Sequence, residues 1–153
     1  MGRTRVLAIA LSSMMAAVAC SRPPPDSTPD GAVRAFVDKM ESATDDRRAM
    51  REAYMLLGPH ARQNLSERAE RASRGQGRRY EPYEMLAEGR FGLKFRPTVT
   101  TARIEGENAV VDVRGESTED RAEVKCTREG PSWRVEPDLP DILAPIRRAD
   151  AGP

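Results

Sequence analysis

Few residue types in this 153-residue chain are suited to catalysis or to metal binding. The chain has two cysteines, Cys20 and Cys126, and a single histidine, His60. One histidine excludes a histidine-rich metal cluster, and no nucleophile elbow accompanies it that would suit a serine–histidine–aspartate triad. His60 follows a Gly-Pro pair and is expected in the first turn of a helix in a structural role. We therefore expect no metal and no cofactor, and Cys20 is the residue whose position points to chemistry.

Cys20 ends an N-terminal segment that has the features of an export signal. Arg3 and Arg5 precede an apolar run over residues 6–18, which is too short to span a bilayer of about 30 Å. The small residues 17–19 fit the narrow cleft of an export peptidase. Read alone they suit ordinary signal peptidase, which would release a secreted protein with a free Cys20.

The same segment, Ala-Val-Ala-Cys, resembles the lipobox of bacterial lipoproteins. The resemblance implies that Cys20 receives a diacylglycerol, becomes the mature N-terminus and holds the chain to a membrane, each buried CH₂ contributing about 0.8 kcal/mol. Ala17 stands where leucine is commonest in that family, so plain secretion stays an alternative. Ser21 stands where an aspartate would signal inner-membrane retention. The resemblance thus implies an outer-membrane lipoprotein that faces the periplasm.

Composition divides the chain into four parts. We predict a signal peptide over residues 1–19, an acylated cysteine with a proline-rich tether over 20–27, one domain over 28–140, and a tail over 141–153. Removing the signal takes away two arginines, which turns 25 basic residues against 24 acidic ones into 23 against 24. Such a nearly neutral, exported domain is not expected to bind nucleic acid.

Within the domain, helical periodicity comes first and strand periodicity follows. Three helices are predicted, beginning at Thr28-Pro29, near Thr44, and at Pro59. A helical turn is predicted in PYEMLAEG, and four strands in PTVTTARIEG, NAVVDVRG, RAEVKCTRE and SWRVEPDL, with EGEN and EGPS as hairpin turns. This order predicts an α+β fold in which N-terminal helices pack on a curved, largely antiparallel four-stranded sheet.

The segments TPDGAVRAFV, AYMLLGPHAR and GPSWRVEPDL carry a second resemblance. Three helices followed by a meander that ends in a W-x-V strand resemble the nuclear transport factor two-like fold, over roughly residues 28–139. The resemblance implies a cone-shaped domain of unknown function attached to a lipoprotein signal. That superfamily holds enzymes such as ketosteroid isomerase as well as binding modules without catalytic residues.

Alternation along the strands separates an apolar face from a charged face. The apolar set predicts the core under the helices: Ala109, Val111, Val113, Ala122, Val124, Cys126, Trp133 and Val135. The other set predicts a face in water: Asp112, Arg114, Glu123, Lys125, Arg134 and Glu136. An isomerase of this fold needs a carboxylate inside the cone. Because Asp112 alternates to the wet side, we expect no catalytic residue, and the charged face predicts a monomer.

Two further groups are candidate contact sites. A pocket is predicted among the aromatic residues Tyr54, Tyr80, Tyr83, Phe91, Phe95 and Trp133, for which packing in the core is the alternative. A late cluster of arginines is a candidate contact for an anionic envelope partner, with a solvated helix end as the alternative: Arg68, Arg71, Arg74, Arg78 and Arg79.

Three functions remain open from the sequence. The first is a non-catalytic envelope lipoprotein whose domain binds a small apolar molecule or a protein partner. The second is a structural accessory subunit of an envelope complex. The third is an isomerase-like or dehydratase-like enzyme. An open cavity near Tyr83 and Phe91 would favour the first, a cone filled by Trp133 and Phe36 the second, and a buried carboxylate near a tyrosine the third.

Overall fold

The computed structural model describes residues 23–86 and 93–139, with the backbone alone at residue 76. A short turn, Pro25–Ser27, leads into three α-helices: α1 (Pro29–Ser42), α2 (Arg47–Met55) and α3 (Pro59–Gln76). A second turn, Pro82–Met85, precedes four strands: β1 (Val99–Glu105), β2 (Asn108–Arg114), β3 (Arg121–Glu129) and β4 (Ser132–Glu136). The predicted signal peptide, Cys20, Phe91 and the C-terminal tail lie outside the described residues.

Local sequence explains where the helices begin and end. The Thr28 hydroxyl accepts a hydrogen bond from the Gly31 amide at 3.2 Å, and Pro29 occupies the first position of α1. The second helix begins later than predicted, at Arg47, because the Asp46 carboxylate caps it. The third runs past Gly75 and ends at Gly77, whose φ of 67° is a left-handed conformation that suits glycine.

The four strands form an open antiparallel meander in the order β1-β2-β3-β4. The predicted hairpin turns are present, with Gly106 and Gly130 at positive φ. The free edge of β4 makes one parallel bridge with Leu57, in the connection between α2 and α3. Amide donors at Gly58 and Val135 make the two backbone hydrogen bonds of this bridge, each 2.8 Å long. The fold is therefore α+β, with three helices packed against a four-stranded antiparallel sheet, as the periodicity predicts.

Trp133 and Phe36 belong to the buried core. Trp133 is 5% exposed and Phe36 is 3% exposed, in one cluster with the helix-facing side chains of the sheet. The predicted apolar face is confirmed, because six of its eight residues are buried: Ala109, Val111, Val113, Cys126, Trp133 and Val135. The remaining two, Ala122 and Val124, are half-buried.

The charged face differs from the prediction at Arg134 and Glu136. The Arg134 side chain is only 18% exposed, because it pairs with Asp26 of the leading turn and with Glu129. The Glu136 carboxylate turns to the start of α3, where it accepts hydrogen bonds from backbone amides. Both residues depart from the predicted exposure for one reason. The chain segments around Asp26 and Leu57 lie beside β4 and supply partners to its polar side chains.

Candidate functional site

A cavity with mainly apolar walls lies between α1 and the sheet. Its volume is about 210 Å³. Apolar side chains from α1, β3, β4 and the segment before β1 form its walls: Val33, Phe36, Val37, Leu93, Ala122, Val124 and Val135. Ala122 and Val124 are half-buried because no helix side chain fills this space above them. The arrangement can accept an apolar group.

Four charged residues also contribute to the lining of the cavity: Glu123, Lys125, Glu136 and Asp138. Two of the three carboxylates already have partners. Glu123 pairs with Arg103 of β1 at 2.9 Å across the sheet, and Glu136 caps α3. Lys125 lies directly opposite Glu136 in the β3–β4 register. The lining is therefore mixed, with seven apolar side chains beside these four charged residues.

Glu136 joins the cavity lining to the N-terminus of α3. Its carboxylate accepts hydrogen bonds from the amides of Ala61 at 3.0 Å and His60 at 3.3 Å. The positive end of the helix dipole and its unpaired N–H groups favour a carboxylate there. The residue at the N-cap is Gly58, and a Cβ on it would lie 2.0 Å from the Glu136 Oε1 atom. The Glu136 carboxylate approaches the Gly58 backbone so closely that only glycine leaves room for it. This explains why a glycine precedes Pro59 at the start of α3.

A chain of ion pairs holds the leading turn and α3 against the β3–β4 hairpin. The Arg134 guanidinium donates to Asp26 at 2.6 Å and to Glu129 at 3.0 Å, and Arg62 donates to Glu129 at 2.6 Å. Burial alone would raise the pKa of Asp26, but hydrogen bonds from Arg134 and Ser132 outweigh it and lower that pKa. The pKa of Glu129 is also lowered, since hydrogen bonds from Arg62 and Arg134 outweigh its burial.

The structure places the predicted pocket aromatics at several separate sites. Tyr54 and Phe95 are half-buried against the core, and Trp133 is within it. Tyr83 lies beneath the Arg51 guanidinium, which is 4.9 Å from the ring centre and donates to the phenol oxygen at 3.2 Å. Tyr80 lies at a groove along α3. None of the five lines the 210 Å³ cavity, and Phe91 lies outside the described residues, so the aromatic pocket stays a prediction.

The arginine cluster lies on α3 and just after it, mostly beside glutamates. Arg74 pairs with Glu70 at 3.4 Å, and Arg79 pairs with Glu81 at 3.8 Å. Both pairs border a groove of about 530 Å³ between α3 and the Pro82–Met85 turn.

The remaining three arginines of the cluster also have partners. Arg78 pairs with Glu84 at 3.5 Å and stacks 3.9 Å from the Tyr80 ring centre. Arg68 donates to Asn64 at 2.7 Å, and Arg71 also has an interaction partner. The neighbouring carboxylates offset much of the positive charge that the sequence suggested.

The residues considered for chemistry occupy structural positions. His60 is exposed in the first turn of α3, as predicted. Cys126 is buried, and burial, with a smaller contribution from Glu136, raises the pKa of its thiol to about 12. Asp112 lies on the charged face, 3.8 Å from Arg114.

Three features are absent from residues 23–86 and 93–139. No polar or charged residue there is buried. Among the same residues, no group of three potential ligands is placed to hold a metal. No helix in this described part has both the length and the apolar character needed to cross a membrane.

Sequence reasoning missed the cavity although it found every strand that forms it. Val33 and Val37 were assigned to the apolar stripe of α1, and Ala122 and Val124 to the core face, without a gap between the two layers. The only available signal was the small side chain of Ala122 in a strand otherwise rich in larger residues. Comparison of the chain with protein-family models, with curated proteins and with solved structures found no match.

Proposed function

We propose that the chain is a non-catalytic lipoprotein of the bacterial envelope, anchored through Cys20, whose domain binds an apolar group in the cavity between α1 and the sheet. The observation that carries the binding role is the cavity itself, whose lining includes seven apolar side chains from α1, the sheet and the segment before β1. The apolar run, the small residues 17–19 and Cys20 support the anchor, and Ser21 favours the outer membrane.

The size of the cavity limits what it accepts. Its volume of about 210 Å³ is below the roughly 300–1,000 Å³ of pockets that hold drug-sized ligands. The occupant is therefore a small apolar molecule, or one apolar side chain of a protein partner. In either case the same seven apolar side chains recognise it.

The order of helices and strands supports assignment to the nuclear transport factor two-like superfamily. Within the described residues, Phe36 and Trp133 belong to one buried apolar cluster, and no carboxylate is buried beside them. The burial of these two aromatic side chains favours a structural accessory subunit as the second candidate. Both functions are consistent with a monomer, because the outer sheet face carries exposed ion pairs such as Arg103–Glu123.

A fluorescence titration with N-phenyl-1-naphthylamine, a neutral apolar probe, tests the binding role. Ala122→Leu places three additional carbon atoms in the cavity and is expected to weaken probe binding. Ala102→Leu is the matched control, because Ala102 is also a half-buried alanine of the sheet but does not line the cavity. Thermal unfolding verifies that both variants are folded. Equal weakening by both substitutions, or an absence of probe binding to the wild type, would favour the structural subunit.

The anchor is tested separately by mass spectrometry of the membrane fraction. The mature chain is expected to begin at Cys20 with an added mass of acyl chains. A Cys20→Ser variant should be released from membranes or left unprocessed. A soluble, unmodified wild-type chain would contradict the lipoprotein assignment and leave the binding role standing.

A further inference from the structure

The segment between Cys20 and α1 is fixed to the domain over its second half. Asp26 accepts from Arg134 at 2.6 Å, and both side chains are 18% exposed. At Gly31 the backbone approaches so closely that a Cβ would lie 2.0 Å from the Pro25 carbonyl oxygen. Pro29 is buried. The turn Pro25–Ser27, which we name the docked turn, therefore belongs to the folded domain.

Little chain is left between the docked turn and Cys20. Five residue steps separate Cys20 from Pro25, and at about 3.3–3.6 Å each they reach at most about 18 Å. Three of those residues are prolines, and Pro24 has the extended φ of −55° and ψ of 145°. This connection is shorter than one strand of the sheet, since β3 has nine residues and a length of about 30 Å.

The docked turn lies at one end of the sheet. Its partners, Arg134 and Glu129, belong to the β3–β4 hairpin. The β1–β2 hairpin is at the same end, since the Arg128 amide donates to the Glu107 carbonyl at 2.8 Å. The β2–β3 loop around Thr118 is at the opposite end. Trp133 marks the hairpin end of the sheet, because it lies opposite Arg128 in the β3–β4 register. Arg121 begins β3 at the other end, and the length of strand between Arg128 and Arg121 is about 23 Å.

We infer that the docked turn orients the anchored domain, with the β3–β4 hairpin next to the bilayer and the apolar cavity away from it. The cavity is lined by Ala122–Lys125 of β3 and by the C-terminal end of β4, the half of the sheet far from the hairpin. Its occupant is then an apolar group presented from the aqueous side, by a soluble partner, and not a lipid taken from the supporting membrane. The inference rests on the proposed attachment at Cys20.

A synthetic anchor separates the orientation from natural acylation. The mature chain, residues 20–153, is coupled through Cys20 to a maleimide phospholipid and placed in phosphatidylcholine vesicles that contain dansyl lipid. Cys126 is buried and its thiol pKa is about 12, so coupling is selective for Cys20. If native Cys20 proves unmodified, the proposed anchor fails while this measurement still reports how a chain held at residue 20 is oriented.

Energy transfer from the single tryptophan to the dansyl lipid measures which end is near the bilayer. Trp133 lies about 23 Å nearer the bilayer than the β2–β3 loop in this orientation, so its transfer efficiency should exceed that of the Trp133→Phe/Thr118→Trp variant at least about twofold. Equal or stronger transfer from the variant would overturn the inference.

A second comparison keeps Trp133 in place. Asp26→Arg puts two like charges at the docked turn and should release it, lengthening the connection and lowering transfer from Trp133. Asp45→Arg is the matched control, because it makes the same charge change at an exposed residue between α1 and α2. The inference fails if Asp26→Arg leaves the efficiency of energy transfer from Trp133 unchanged. It also fails if Asp45→Arg lowers that efficiency equally, because the docked turn would then not set the orientation.

Discussion

Gly58→Ala tests whether the Glu136 carboxylate caps α3. The new Cβ would lie 2.0 Å from Glu136 Oε1 and 2.5 Å from Cδ, so the carboxylate must move away. It would then lose its hydrogen bonds to the amides of His60 and Ala61. The backbone of Gly58, with φ of −76° and ψ of 170°, is open to alanine, so the substitution itself causes no backbone strain.

The expected magnitude has two parts of opposite sign. Loss of a helix cap costs about 1–2 kcal/mol, and the hydrogen bonds here involve a charged acceptor. Replacing glycine by alanine in an allowed conformation stabilises by about 0.5 kcal/mol through the unfolded chain. Gly58→Ala should therefore lower the free energy of unfolding by about 0.5–1.5 kcal/mol. In a Glu136→Ala background no cap remains to be lost, and the same substitution should stabilise by about 0.5 kcal/mol.

The assay is urea unfolding followed by the fluorescence of Trp133, in a double-mutant cycle of Gly58→Ala and Glu136→Ala. Gly75→Ala is a control, because it lies in α3 with open space around its Cβ and should stabilise by about 0.5–1 kcal/mol in both backgrounds. The reasoning is refuted if Gly58→Ala destabilises equally with and without Glu136. That result would place the cost elsewhere in the connection between α2 and α3.

Three further predictions concern the core, the ion pairs and the thiol. Trp133→Ala should cost about 3–5 kcal/mol in urea unfolding because it removes a large buried side chain from the core, whereas Asp112→Asn on the charged face should stay within about 0.5 kcal/mol. The pKa of Asp26 is lowered in the folded protein, so the unfolded chain binds more protons in acid; the stabilisation by Asp26 is therefore present at neutral pH and is lost as the pH falls below 3.8, the ordinary pKa of the group. Arg134→Ala should reduce this loss of stability in acid, as measured by unfolding curves at several pH values. An unchanged dependence on pH would contradict the prediction. Cys126 should react with a thiol reagent only after denaturation, and a disulfide to Cys20 found by peptide mapping would contradict both this and the lipid anchor.

Periodicity was sufficient to predict the order of the elements and the apolar faces of α1 and the sheet. The stripe of α1 and the alternation in β2 depend on side-chain spacing within one element, and both were confirmed by the burial of Phe36 and Val111. The turns at Gly106 and Gly130 were also predictable, because a tight hairpin requires a positive φ that glycine adopts readily.

The candidate site was not predictable from such local rules. Alternation placed Glu136 in water, but its carboxylate faces a helix terminus that begins 77 residues earlier, at Pro59. Alternation along a strand assigns each side chain to one face of the sheet. It does not determine which distant segment of the chain packs beside that side chain. The same holds for Asp26, which composition placed in a tether and which Arg134 fixes to the sheet.

The sequence by itself determined the class of fold and the apolar face of the sheet, and it predicts an export signal that ends at Cys20. These features depend on residue types at short spacing, where backbone geometry leaves few alternatives. Tertiary structure alone decided that a cavity of about 210 Å³ remains between α1 and β3, and that the leading turn docks beside β4. The cavity depends on the distance between two packed layers, and the docking of the turn depends on which chain segments meet at a sheet edge. Each of these is set by many side chains packing together and not by the spacing of residues within one element.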